Sequence, residues 1–90
     1  MIQTIEILFS GKVQKVGFRS CVRNAGINLG LRGEVENLSD GKVRALVTGE
    51  DVIIEKFLAM TYSCPRAIIR DIKCTKYVLT EFTDFTIKRE

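Results

Sequence analysis

From Thr4 to Ser10 the chain alternates, with Ile5, Ile7 and Phe9 on one side and Thr4, Glu6, Leu8 and Ser10 on the other. A period of two is the mark of a strand with one buried face. Beyond it the period lengthens: Phe18, Val22, Ala25 and Leu29 recur at helical spacing and form the apolar stripe of an amphipathic helix. Gly30 stands where a left-handed cap would end that helix. Gly26 lies inside it at a cost of about 1 kcal/mol relative to alanine, which points to a helix backbone packed closely on a sheet.

Alternation returns over Leu31 to Asn37 and Lys42 to Thr48, and Leu38-Ser39-Asp40-Gly41 joins the two segments. Asp-Gly between alternating segments is a hairpin signal. Gly49-Glu50-Asp51 then places acids at the start of a second helix, whose inward stripe is Ile54, Phe57, Leu58 and Thr61. Pro65 ends it, because the residue before a proline is pushed out of the helical region. Ala67 to Leu79 is rich in β-branched residues, and Phe82 to Lys88 reads as a last short strand in which Phe85 and Ile87 share a face. The order βαββαβ, with a short fifth strand, predicts an α+β fold of the ferredoxin-like type. Its antiparallel sheet would carry two helices on one face. No repeat, linker or low-complexity segment divides the chain, so residues 1–90 are expected to form one domain.

Composition narrows the chemistry. There is no His, which removes imidazole acid–base work, Ser-His and Cys-His nucleophiles and most zinc sites. Cys21, Cys64 and Cys74 are odd in number and contain no Cys-x-x-Cys pair. Free, mostly buried thiols are therefore expected, rather than a disulfide framework or a metal site, with Cys21 in a packing role. No apolar run exceeds the four residues Phe57 to Met60, and the first six residues carry no secretory pattern. A cytoplasmic protein with no membrane partner, no cofactor and no metal is the expectation, and a monomer is the default at this length.

Charge is what changes the picture. From Ile7 to Gly33 there is no Asp or Glu, yet Lys12, Lys15, Arg19, Arg23 and Arg32 all fall there. That window carries +5, while the remaining nine basic and eleven acidic residues carry −2. A helix N-terminus already has a partial positive charge and unpaired N–H groups, so cations at its start fit poorly unless an anion arrives. The loop Lys12, Val13, Gln14, Lys15, Val16, Gly17, Phe18 therefore reads either as a phosphate cradle completed by Arg19 or as a turn with solvated charges. Asn37, just before the hairpin turn, either shapes that turn or serves the same site. Arg23 reads as a solvated helix face, and Gln14 as a brace for the loop.

Gly11-x-Val13-Gln14-x-Val16-Gly17-Phe18-Arg19, followed by Leu29-Gly30-Leu31-x-Gly33-x-Val35-x-Asn37-Leu38-x-Asp40-Gly41-x-Val43, resembles the acylphosphatase family. The resemblance continues through Val47-x-Gly49, Phe57-Leu58, Pro65 and Phe85-x-Ile87-Lys88, so it covers essentially the whole chain. It implies the same ferredoxin-like fold, and it implies metal-free hydrolysis of acyl phosphates to carboxylate and inorganic phosphate by direct attack of water. It assigns Arg19 to the phosphate and Asn37 to the attacking water, with residues 12 to 18 as the phosphate loop. The implied partners are a small acyl phosphate and inorganic phosphate, as product or competitive ligand. A carboxylate leaves readily, its acid having a pKa of about 4, so the reaction needs no imidazole.

One position departs from the family pattern: Lys15 stands where a loop glycine is usual. At positive φ a lysine costs about 1–3 kcal/mol of strain; at negative φ it only adds charge to the cradle. Altered phosphate affinity with activity retained is the expectation, and a weak or inactive phosphate-binding module is the alternative. RNA binding is disfavoured, because the central strands lack the aromatic residues that stack bases and a net charge of +3 is modest.

Overall fold

A computed structural model describes residues 1–89. Its elements are β1 (Ile2–Lys12), α1 (Phe18–Asn28), β2 (Arg32–Asn37), β3 (Val43–Glu50), α2 (Asp51–Thr61), β4 (Ile68–Tyr77) and β5 (Phe85–Ile87). They form one five-stranded sheet in the order β4-β1-β3-β2-β5. The four long strands pair antiparallel as expected. The short β5 adds itself to β2 in parallel, with Gly33 opposite Phe85 and Val35 opposite Ile87, which makes the sheet mixed. The α+β ferredoxin-like fold read from periodicity is the fold of the protein.

Both helices use the predicted stripes. Phe18, Val22 and Ala25 of α1 and Ile54, Phe57 and Thr61 of α2 are buried against Ile7, Phe9, Val35, Ala45 and Val47 of the sheet. Gly30 follows α1 at φ +71. A Cβ on Gly26 would overlap the ring of Phe85, so the close packing inferred from this glycine is packing on β5. On the opposite face Arg44 donates to Glu6 and Glu36 at 2.6 and 3.1 Å. Thr4, on the face predicted to be open, is buried all the same. The chain after β4 crosses it there, and Thr80 N–H donates to Thr4 Oγ1 at 2.9 Å.

The cysteine expectation is overturned. Cys21 in the first turns of α1 and Cys64 just beyond α2 are joined in a disulfide, their Cα atoms 5.9 Å apart. The reason lies in tertiary geometry: two helices packed side by side bring together residues 43 positions apart, and no local spacing records that. Cys74 is free but exposed, on the edge strand β4, and the part of it that is covered pushes its thiol pKa up.

Candidate active site

From Lys15 to Arg19 the loop between β1 and α1 alternates between outward and inward side chains. Val13 and Phe18 are buried and Val16 packs against the core, while Lys15, Gly17 and Arg19 turn outward. Phe18 stands edge-on to Phe9 with ring centres 5.0 Å apart, which anchors the start of the helix. Gly17 precedes α1 at φ +75, and no side chain caps the helix. The first-turn N–H groups, which have no acceptor within a helix, are left for a ligand. Lys15 is one of two non-glycine residues at positive φ among the described residues, with φ +62.

This geometry closes a pocket of about 80 Å³ lined by Val13, Lys15, Gly17, Phe18, Arg19, Ser20, Asn37, Ile87 and Arg89. Lys15, Arg19 and Arg89 bring three cations to its wall, and among the described residues no carboxylate joins them. None of the three takes part in an ion pair among the described residues. The sheet brings Asn37 there, since β2 ends beside the loop. Its Oδ1 is buried and has no hydrogen-bond partner among the described residues. Gln14 points the other way and ties the loop to the hairpin, its Nε2 donating to the carbonyls of Leu38 and Lys42 at 2.8 and 2.9 Å. The hairpin is further fixed by Asp40, whose Oδ1 accepts the Lys42 N–H at 3.0 Å. That bond, with the Lys42 ammonium, holds the Asp40 pKa below the usual carboxylate value.

Of the residues predicted for the site, Val13, Lys15, Gly17, Phe18, Arg19 and Asn37 line the pocket, whereas Lys12, Gln14 and Val16 support the loop from outside it. Lys12 closes β1, opposite Ile68. Ser20, Ile87 and Arg89 also line the wall and were not predicted. Ile87 had a signal, the Phe85-x-Ile87 alternation that marks β5, but its pairing beside β2 did not. Arg23 contacts only its neighbour Asn24, at 3.4 Å, among the described side chains. No three His, Cys, Asp or Glu residues gather as metal ligands among the described residues.

Beside this pocket runs a wider groove of about 470 Å³ between α1 and the end of α2, lined by Gly17, Ser20, Cys21, Asn24, Ala25, Asn28, Met60, Ser63 and Pro65. Gly17 and Ser20 line both cavities, so the groove lies directly beside the cationic pocket.

A ferredoxin-like sandwich whose first strand–helix loop gathers cations and unpaired N–H groups has the chemistry to receive an anion. The acylphosphatase family profile matches residues 5–87. An acylphosphatase from Methanocella arvoryzae is 42% identical over 76 residues, covering 83% of this chain and 86% of the relative. One from Thermoplasma volcanium is 40% identical and covers 99% of this chain and all of the relative. The crystal structure of acylphosphatase from Bacillus subtilis superposes with a TM-score of 0.91 at 30% identity, over 99% of this chain and 100% of that one. The chain belongs to the acylphosphatase family and is an enzyme.

Proposed function

We propose that residues 1–90 act as one acylphosphatase domain that hydrolyses the carboxyl–phosphate bond of small acyl phosphates, without metal and by direct attack of water. The observation that carries this reading is the buried, unpartnered Oδ1 of Asn37 in the same pocket wall as Arg19. A buried acceptor without a partner costs about 1–3 kcal/mol, and a water held between it and a bound phosphoryl group would satisfy it. Arg19 offers a planar fork to two phosphoryl oxygens while the loop and first-turn N–H groups take the others. Lys15 and Arg89 add positive charge where the equatorial oxygens would lie. With the leaving carboxylate needing no proton, holding, charge compensation and water placement are the whole task.

The test is phosphate release from benzoyl phosphate in the presence of EDTA. Arg19→Ala and Asn37→Ala, with unchanged circular dichroism, should each lower kcat/KM by at least about a hundredfold, the usual loss for a removed charge-stabilising or positioning group. Wild-type protein that binds inorganic phosphate at this loop yet releases none from acyl phosphates would instead establish the phosphate-binding module.

The remaining readings belong to the same proposal: a monomer that binds no nucleic acid and works in the cytoplasm. The Cys21–Cys64 bond weighs against the last of these, because structural disulfides are uncommon in the cytosol. Alkylation of free thiols before lysis, followed by mass spectrometry, decides it: a cytoplasmic pool should show Cys21 and Cys64 alkylated.

A further inference from the structure

Arg66 is, among the described residues, the second non-glycine residue at positive φ, with φ +67. It is exposed, and it lies in a segment held at both ends: Cys64, two residues before it, is buried and bonded to Cys21 of α1, and Ala67 after it packs against the core. The left-handed backbone turns its side chain toward the phosphate loop, where Nη2 lies 3.5 Å from the position a Cβ on Gly17 would take. No carboxylate pairs with Arg66 among the described residues. Gly17 is, with Ser20, one of the two residues shared by the small cationic pocket and the wider groove. The guanidinium therefore lies against Gly17, at the edge where the two cavities meet, without itself lining either one.

With the phosphoryl group in the pocket and the acyl chain leading into the groove, that junction is where the bridging oxygen of the substrate would sit. We propose that Arg66 stabilises the departing carboxylate, as a catalytic residue additional to Arg19 and Asn37. The inference rests on the acylphosphatase reading given above. In the step concerned the bond between phosphorus and the bridging oxygen breaks and a bond from the water oxygen to phosphorus forms. Both electrons of the broken bond stay on the carboxylate, and the two protons of the water remain on the phosphate product. Charge thus grows on the carboxylate oxygens during the step, and a cation placed there binds the transition state more tightly than the substrate.

Such a role leaves a signature that structural support does not. Arg66→Ala should slow a substrate with a weaker leaving group, acetyl phosphate, by about tenfold, the worth of one charge-assisted hydrogen bond. It should slow a nitro-substituted benzoyl phosphate, whose carboxylate needs less help, only about twofold. The dependence of log kcat/KM on leaving-acid pKa thereby steepens, and Arg66→Lys recovers part of the difference. The inhibition constant for inorganic phosphate, which has no leaving group, should stay the same, and thermal unfolding should report an intact fold. Equal losses on all substrates, or weaker phosphate inhibition, would overturn the proposal by making Arg66 a structural residue or a phosphate contact. Full activity on every substrate overturns it as well while leaving the acylphosphatase reading standing. A wild-type protein inactive on all of them removes both.

Discussion

Lys15 places an L side chain in the left-handed region inside the β1–α1 loop, at φ +62. That conformation costs a non-glycine residue about 1–2 kcal/mol. A glycine there would relieve the strain but would also lose more entropy on folding, about 0.4–1 kcal/mol. Lys15→Gly should therefore raise stability in urea by a net of about 0.5–1 kcal/mol. The same change removes one of the cations in the pocket wall, so the inhibition constant for phosphate should rise by about two- to fivefold, consistent with a partly exposed charge. Turnover should persist. An inert wild-type protein beside an active Lys15→Gly variant would show instead that the lysine had disabled the loop. The departure from the family pattern was legible in the sequence; the sign of φ was not, because composition does not report how a loop is held at its ends. Arg89 was illegible for a related reason, since it reaches the pocket wall from a part of the chain distant in sequence.

At the scale of elements, the site is a junction between the β1–α1 loop and the end of β2, and Gln14 sets their separation through two carbonyls of the hairpin. The orientation of α1 is set at its other end by Gly26 against Phe85 of β5. Gly26→Ala should destabilise by about 1–3 kcal/mol, since an added methyl group forces a packed aromatic ring to move. Urea denaturation checks this, and a neutral result would mean that α1 shifts freely on the sheet. The strands and helices themselves were readable, because Ile7 and Phe9, or Phe18, Val22 and Ala25, recur at the period their element imposes. The parallel docking of β5 was not readable, for a three-residue strand carries no mark of its direction. The burial of Thr4 was hidden too, because it depends on where the chain runs some 76 residues later.

For the whole molecule the disulfide is the one covalent link across the two helices. Closing a loop over a separation of 43 residues removes unfolded-state entropy equivalent to about 4 kcal/mol. Replacing Cys21 and Cys64 together by serine, or adding a reductant, should lower the melting temperature by about 15–30 °C, given a sensitivity of about 4–8 °C per kcal/mol in a domain of this size. A melting temperature that does not respond to reductant would show that the two thiols are not bonded in solution. An odd number of cysteines pointed away from this bond, because pairing is decided by which helix faces meet.

Lys15 and Arg66 hold left-handed backbones, one in the β1–α1 loop and one just beyond α2, and neither is a glycine that would adopt them freely. Conformations of this kind persist only where the surroundings dictate them. For the proposed phosphate site this means preorganisation: an arriving phosphoryl group would find its donors already in place and have no loop to order. Little of its binding free energy would then be diverted into refolding the protein, and more would remain for the point along the proposed reaction where charge moves from phosphorus to carboxylate.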